Sequence, residues 1–304
     1  MSVGALLDGV RPGRQRDGRL PNFVVIGAMK AGTTSLFRYL QAHPQAYLSP
    51  LKELDFFVED RNWPRGLDWY RSRFAAAGPD VRAIGEASTA YTMFPEHDGV
   101  PERMARCLPE ARLIYLVRNP IERIRSHYQH EVLAGREHAP VEEAVLGDPR
   151  YLDDSRYAMQ IERYLGSFPR ERILLVTSEQ LRSERLPTIR RIYGFLGIDP
   201  DFVDATIDRE FYRSDERASY PSLAWQLRRT LKRYVPASAR AKQLVDRALP
   251  AMRERRSTSN GRTPSVPRFE IPAPLHGRLA ELLREDVLRL RGYMPSGFDG
   301  WGIA

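Results

Sequence analysis

Short apolar runs alternate with helically spaced apolar positions over the first two thirds of the chain. Runs of this kind, rich in Val, Ile and Leu, are typical of strands buried on both faces of a parallel sheet. The predicted strands cover residues 22–27, 81–85, 112–117 and 172–177, with a short extended piece at 46–48. The predicted helices cover residues 34–43, 101–108, 120–132, 155–165 and 186–196. This alternation predicts an α/β fold with a central, mostly parallel sheet.

Beyond about residue 215 the predicted strands stop, and the pattern becomes helical and basic. Leu223, Leu227, Leu231 and Tyr234 recur at intervals of four, four and three residues, which places them on one helix face. A last helix is predicted over residues 274–291. We therefore expect a flexible tail (1–20) and one domain (21–304), made of an α/β core (21–214) and a basic helical C-terminal cap (215–304).

The chain has 304 residues and a formal net charge of +8, which favours a polyanionic partner. Residues 221–262 hold eleven Lys and Arg residues against two acidic ones. The excess charge therefore lies in the C-terminal segment, where no nucleic-acid-binding motif accompanies it, and we expect no nucleic-acid partner. The segment is a candidate for peripheral contact with an anionic membrane, and the alternative is a solvated Arg-rich face.

A single cysteine, Cys107, excludes an internal disulfide framework and a cysteine-based zinc cluster. No run of about 18 apolar residues is present that could span a bilayer. The first residues lack the apolar core of a secretory signal. Only four of the 47 basic residues are lysines. Together these features predict a bacterial cytoplasmic protein.

The loop between the first predicted strand and helix, GAMKAGTTS (27–35), has the context of an anion site. Gly27 and Gly32 have the spacing of the nucleotide-triphosphate loop GxxxxGK[ST], and Thr34 occupies its Ser/Thr position. However, Thr33 stands where that loop needs its lysine, and the rare Lys30 lies inside the loop instead. The pattern indicates phosphate binding without the usual triphosphate chemistry.

The strand at 112–117 ends in Arg118, where a triphosphate enzyme places an aspartate that helps to hold Mg²⁺. An arginine there suits a second anion, and Ser126 can supply a hydroxyl to it from the next helix. These residues indicate a nucleotide with phosphate groups at two places, handled without a metal. Transfer of a singly charged sulfuryl group fits this chemistry better than transfer of a γ-phosphoryl group.

The runs GAMKAGTTSL (27–36) and LVRNPIERIRSHY (116–128) resemble the 5′-phosphosulfate loop and the 3′-phosphate motif of sulfotransferases that depend on PAPS, 3′-phosphoadenosine 5′-phosphosulfate. The resemblance is to the bacterial and Golgi-type branch related to heparan sulfate sulfotransferases, and it covers roughly residues 22–200. It implies a P-loop-type three-layer fold, PAPS as co-substrate and 3′,5′-ADP as product. The C-terminal third matches loosely.

The resemblance also implies roles for individual residues. Lys30 is expected to stabilise charge on the leaving phosphate. The 5′-phosphate would be bound by Ala31, Gly32, Thr33, Thr34 and Ser35, the 3′-phosphate by Arg118 and Ser126, and a closing segment would include Gly261 and Arg262. Two structural alternatives stay open, a helix cap formed by the loop and an ion pair between Arg118 and Glu122.

The general base in this branch is the glutamate of a motif like E-x-H-F-F, which corresponds here to Glu53 in ELDFF. Asp55 replaces the histidine of that motif. Glu86, in GEAS, is the second candidate because it lies near a strand end. Ala87 stands where glycan-specific relatives carry a lysine, which lowers the expectation of a glycosaminoglycan-like acceptor.

Two histidines on the 3′-phosphate helix, His127 and His130, are expected to pack or to face solvent. The sequence thus predicts a metal-independent sulfotransferase acting on a hydroxyl of a small-molecule, natural-product or glycolipid acceptor. The alternative is an ATP-dependent kinase of a small molecule or nucleoside with a P-loop-like site. The sequence does not determine the oligomeric state.

Overall fold

The computed structural model of the protein describes residues 18–208 and 269–304. Five strands in this part of the chain form one sheet in the order β2-β3-β1-β4-β5. They are β1 (Phe23–Gly27), β2 (Ala46–Leu48), β3 (Ala83–Ala87), β4 (Arg112–Val117) and β5 (Ile173–Thr177). Every pair of neighbouring strands is parallel, with registers such as Val24 beside Leu113. The predicted α/β fold with a central parallel sheet is confirmed.

Helices flank the sheet and connect its strands. They are α1 (Thr33–Ala42), α2 (Gly66–Ser72), α3 (Val100–Cys107), α4 (Pro120–Leu133), α5 (Val141–Gly147), α6 (Arg150–Asp153), α7 (Tyr157–Leu165), α8 (Ser178–Ser183), α9 (Arg185–Leu196) and α10 (Ala273–Arg291). The predicted strand at 81–85 is displaced by two residues and runs on through Glu86. This polar residue does not end the strand because its carboxylate is buried and accepts three hydrogen bonds.

The strand order places the carboxyl ends of all five strands at one edge of the sheet. β1 lies between β3 and β4, so the chain moves to one side of β1 and then to the other, which is the topological switch point where α/β sheets bind ligands. The β1 chain is fully buried and ends at Gly27, where a Cβ would lie 2.0 Å from the Thr92 hydroxyl. The loop after β1 therefore leaves the sheet through a gap that admits only glycine.

The C-terminal helix α10 packs against α4 and α7. It buries the side chains of Leu279, Leu283, Val287 and Leu290. Asp286 ties it to α7, because its carboxylate accepts the backbone N–H groups of Ala158 and Met159, both at 2.9 Å. The division into a core and a cap near residue 214 stays a prediction, and the basic segment 221–262 lies outside the described residues. Among the described helices, none is long and apolar enough to cross a membrane.

Candidate active site

A cavity of about 920 Å³ opens at the carboxyl edge of the sheet, and its wall is formed by loops that follow all five strands. The predicted site residues in its wall are Lys30, Gly32, Thr33, Thr34, Ser35, Glu53, Arg118 and Ser126. Two other predicted residues, Ala31 and Glu86, are fully buried outside the wall. Gly261 and Arg262 lie outside the described residues. The sheet topology thus brings predicted residues from three separate sequence motifs into one space.

The phosphate loop, defined here as residues 27–35, leads into the N-terminus of α1. Gly32 is the N-cap in a left-handed conformation (φ 96°), no side chain caps the helix, and no acidic residue lies in its first turn. Such a terminus offers N–H groups and the positive end of the helix dipole to an anion. Ala31 is turned inward, and its N–H donates to the Ala28 carbonyl at 3.2 Å. The local backbone therefore offers N–H donors that suit an anion, with no carboxylate in the first turn of α1.

Lys30 and Arg118 meet at this loop. The Arg118 guanidinium donates to the Lys30 carbonyl at 3.3 Å and forms an ion pair with Glu122 at 3.1 Å. Burial lowers the pKa of Arg118 from its usual value, and the Glu122 carboxylate acts against that shift. The ion pair with Glu122 that the sequence left open as an alternative is therefore present, and Arg118 also lines the cavity. Arg118 links the phosphate loop to α4.

Helix α4 begins with a cap that its sequence encodes. The Asn119 side chain accepts the N–H groups of Ile121 and Glu122 at 3.0 and 3.2 Å, and Pro120 takes the first helical position. This start fixes the helix face that carries Ser126, which is 1% exposed in the cavity wall. Local sequence therefore places Ser126 in the wall of the same cavity as the phosphate loop.

Six further arginines that the sequence did not indicate line the cavity, among them Arg125, Arg182 and Arg185. Arg125 is held by Glu122 at 3.1 Å and by the Phe269 carbonyl at 3.3 Å. Arg182 and Arg185 follow β5, so their position after a strand end was the available signal. Together with Lys30 and Arg118 they make this end of the cavity positive, which suits a ligand with several anionic groups.

Glu53 lies on the base loop, defined here as residues 51–57, which follows β2. Its carboxylate accepts the Thr89 N–H at 2.7 Å and the Thr89 hydroxyl at 3.2 Å, and it forms an ion pair with Lys52. The side chain is 37% exposed. Phe56 and Phe57, which follow in the same motif, are fully buried and anchor the loop by packing against aromatic rings of α2 and the segment before it.

Asp55, the residue that replaces the family histidine, also lines the cavity. It forms an ion pair with Arg61 at 2.6 Å. Burial raises the pKa of Asp55, and the Arg61 partner lowers it in part. The residue near Glu53 is therefore a second carboxyl group, where the motif of the family has an imidazole.

Glu86 lies behind the base loop and is 0% exposed. Its carboxylate accepts hydrogen bonds from the hydroxyls of Tyr70 at 2.8 Å, Ser88 at 2.7 Å and Tyr91 at 2.7 Å. Burial raises the pKa of Glu86 to about 7, and the three hydroxyls act against that shift. The structure does not bring this second candidate base to the cavity wall.

His127 and His130 both line the cavity, although the sequence predicted packing or surface roles for them. His127 is also packed: it is 6% exposed, lies on the Tyr151 ring and has Arg123 Nη2 at 3.3 Å from its Nδ1. Burial, followed by the Arg123 charge, lowers the pKa of His127 far below its usual value. A neutral histidine whose Nδ1 faces a guanidinium donor keeps its proton on Nε2, so His127 is unsuited to take a proton.

The arrangement joins two chemical capabilities in one cavity. The phosphate loop and its arginines can hold an anionic nucleotide, and the Glu53 carboxylate can accept a proton from a group placed between them. In the part of the chain that the structure describes, no group of His, Cys, Asp and Glu side chains could hold a metal ion. The geometry therefore fits group transfer from an anionic donor to an acceptor that loses a proton.

Comparisons with known proteins point to the same chemistry. Bifunctional heparan sulfate N-deacetylase/N-sulfotransferase 3 of Homo sapiens is 33% identical over 205 residues, which cover 60% of this chain and 23% of that protein. Heparan sulfate glucosamine 3-O-sulfotransferase 5 of Mus musculus is 32% identical over 195 residues, which cover 60% of this chain and 55% of that protein. The chain spans about half or less of the length of these curated relatives.

A solved structure and a family model extend the comparison to the fold. The crystal structure of a sulfotransferase from Alicyclobacillus acidocaldarius superposes with a TM-score of 0.67 at 25% identity, covering 93% of this chain and 99% of that one. The model of the sulfotransferase family matches residues 21–202, which contain the whole sheet, the phosphate loop and the base loop. The protein described here belongs to the sulfotransferase family.

Proposed function

We propose that the protein transfers the sulfuryl group of PAPS to a hydroxyl of a small-molecule, natural-product or glycolipid acceptor. One observation carries this proposal: a single cavity has an uncapped helix N-terminus with Lys30 in its wall and the Glu53 carboxylate on a neighbouring loop. The first feature suits the donor, and the second suits the acceptor.

The residues at the positive end fit a donor with anionic groups at two places. The N–H groups at the start of α1 and Lys30 would hold the 5′-phosphosulfate, and Arg118 with Ser126 would hold the 3′-phosphate. Two observations support this assignment: no side chain caps α1, and Lys30, Arg118 and Ser126 all line the same cavity. PAPS, when bound, supplies the sulfuryl group and leaves as 3′,5′-ADP.

Glu53 would take the proton of the acceptor hydroxyl as its oxygen forms a bond to sulfur. Lys30 would balance the negative charge that develops on the 5′-phosphate oxygen when the bond between that oxygen and sulfur breaks. Thr89 holds the Glu53 carboxylate through its N–H at 2.7 Å, which fixes the direction of the proton transfer. No step requires a protein-bound metal.

We propose an acceptor that carries less negative charge than heparan sulfate, the polymer named in the relatives. Arg61, Arg136 and Arg150 bring positive charge to the cavity wall, but Asp55, Glu131 and Asp148 pair with them at 2.6 Å. Moreover, Ala87 stands where glycan-specific relatives carry a lysine. Each of these three arginines has a carboxylate of its own, whereas Arg118 and Arg125 share Glu122, so the three pairs add no net positive charge that would attract a polyanionic chain.

The test uses ³⁵S-labelled PAPS and a panel of phenols, sterols, glycolipids and heparan sulfate, with mass spectrometry of the products. We expect label on a neutral hydroxyl, loss of at least about 100-fold in rate for Lys30→Ala, and no effect of EDTA. Thermal shift with 3′,5′-ADP against ATP and Mg²⁺ tests the kinase alternative. Stabilisation by ATP with a strict Mg²⁺ requirement would overturn the proposal, and label on heparan sulfate would overturn its acceptor class.

Cytoplasmic location and membrane contact through residues 221–262 remain proposals of their own. The single cysteine supports the cytoplasmic location, and the eleven basic residues of that segment support the membrane contact. Co-sedimentation of the full chain with anionic and neutral vesicles tests the contact.

A further inference from the structure

A cluster of buried hydroxyl groups surrounds Glu86 directly behind the base loop. Tyr70 and Tyr91 donate to its Oε1 at 2.8 and 2.7 Å, and Ser88 donates to its Oε2 at 2.7 Å. Glu86 is fully buried. The two tyrosines are buried as well, which raises the pKa of each phenol well above its usual value, so both keep their protons and remain donors. We call Glu86, Ser88 and Tyr91 the Glu86 relay.

Two of these hydroxyls also accept hydrogen bonds from the base loop. The Asp55 N–H donates to Ser88 Oγ at 3.0 Å, and the Phe56 N–H donates to the Tyr91 hydroxyl at 2.9 Å. A backbone N–H can only donate, so each hydroxyl must direct its own proton to Glu86. The carboxylate thereby orients both hydroxyls towards the loop amides.

The base loop needs such support because its backbone is strained. Glu53 and Asp55 have φ angles of 61° and 48°, in the left-handed region that residues with a Cβ rarely adopt. Such conformations persist only where the surrounding structure holds them. Here the Glu53 N–H donates to the Ala87 carbonyl at 2.9 Å, and the relay hydroxyls accept the N–H groups of Asp55 and Phe56.

We infer that Glu86 is a positioning residue that acts through Ser88 and Tyr91 to hold the base loop, so that the Glu53 carboxylate faces the acceptor hydroxyl. The inference rests on the proposed function of Glu53. It gives Glu86 a role that its buried position allows, since it does not line the cavity and cannot reach an acceptor there.

The decisive experiment compares two variants that each remove one phenol hydroxyl from the same oxygen of Glu86. Tyr91→Phe breaks the relay, whereas Tyr70→Phe leaves it intact, because the Tyr70 hydroxyl contacts no loop amide and its ring still stacks on Phe56 at 4.2 Å. We expect Tyr91→Phe to lower kcat about tenfold or more, with KM for PAPS and Kd for 3′,5′-ADP unchanged. Tyr70→Phe should stay within about twofold of the wild-type kcat. Equal effects of the two variants would overturn the inference.

A second pair separates positioning from proton transfer. Glu86→Gln keeps a carbonyl oxygen that can accept the Tyr91 hydroxyl, so it should retain much of the activity, whereas Glu86→Ala should lose about 100-fold in kcat. If Glu86 were itself the base, Gln would be as inactive as Ala.

Hydrogen exchange gives a readout that does not depend on activity. Tyr91→Phe and Ser88→Ala should accelerate exchange at Asp55 and Phe56 relative to Tyr70→Phe, with no change in residues 29–36. Unchanged exchange in all variants would refute the relay even in an inactive preparation. Absence of sulfuryl transfer by the wild-type protein, by contrast, would refute the proposed function and leave the exchange result to decide the relay.

Discussion

The two loops that face each other across the cavity are built in different ways. The phosphate loop (27–35) joins β1 to α1 without interruption, and its anion site is made by its own backbone and the helix N-terminus. The base loop (51–57) has no helix of its own, and its amides bond to residues 87–91, more than thirty positions later. One loop is therefore encoded locally, and the other depends on tertiary contacts.

The charges of the two loops differ as their proposed tasks differ. Lys30 and Arg118 bring cations to the phosphate loop, where an anionic donor must be held. Glu53 and Asp55 bring carboxyl groups to the base loop, where a proton must be removed. Changes at Arg118 should therefore alter donor binding, whereas changes at Glu53, and at Lys30 beside the leaving group, should alter the rate of the bound complex.

The sharpest test of this separation is Glu53→Gln, for which we expect the largest effect. The amide keeps the shape of the side chain but cannot take a proton, so kcat should fall by about 10³. Isothermal titration should give the wild-type Kd for 3′,5′-ADP. The matched control is Glu59→Gln, the same change at an exposed side chain outside the cavity wall, which should keep full activity. Full activity of Glu53→Gln would remove Glu53 from the reaction.

The locally encoded half of the molecule is also the half that the sequence predicts. The sequence predicts the bounds of β4, Arg112–Val117, to the residue. Its five buried positions after Arg112 lie in a strand covered on both faces, and such a strand reads as a continuous apolar run. The glycines and Lys30 of the phosphate loop are visible for a similar reason, since the motif is contiguous. Arg118 was found because it directly follows a predicted strand.

The long-range half was not predictable in the same way. No local pattern indicates that Thr89 holds the Glu53 carboxylate, or that Glu86 extends β3 as a buried acceptor. A lone polar residue after an apolar run ordinarily marks a strand end. Glu86 can continue the strand because the hydroxyls of Tyr70, Ser88 and Tyr91 donate to its buried carboxylate. These hydrogen-bond partners can be identified only once the pairing of β2 with β3 is known, because it brings the base loop beside the residues that follow β3.

For Arg118, which contacts the phosphate loop, we expect a smaller effect, confined to binding. Arg118→Met should weaken the affinity for 3′,5′-ADP about 30-fold to 100-fold, because a charge-assisted contact to the 3′-phosphate is lost. The affinity for 5′-AMP, which lacks that phosphate, should change little. Glu122→Gln is the control, since it removes the ion pair at 3.1 Å and keeps the guanidinium. If both nucleotides weaken equally in Arg118→Met, the arginine supports the loop and does not bind the 3′-phosphate.

The smallest effect concerns the pH dependence of stability behind the base loop. Burial raises the pKa of Glu86 from 4.5 to about 7, so between these values the folded protein holds a proton that the unfolded chain has released. The free energy of unfolding should therefore decline as pH rises from 4.5 to about 7 and then level off. Urea denaturation at pH 5.5 and 7.5 measures this change. Between the two pH values the free energy of unfolding should fall by about 1.5–2 kcal/mol more in the wild type than in Glu86→Gln, since each pKa unit corresponds to about 1.36 kcal/mol.

The variant isolates Glu86 from the other buried groups that titrate. Burial likewise raises the pKa of Asp154 to about 7, which adds a decline of the same sign, and the lowered pKa of His127 acts in the opposite direction below its usual value. Both groups are present in the two proteins, so their contributions cancel in the difference. Glu142→Gln, the same change at an exposed residue of α5, should keep the wild-type slope. Equal slopes for wild type and Glu86→Gln would mean that the carboxylate behind the base loop is ionised as readily in the folded protein as in water, so that the three hydroxyls fully offset its burial.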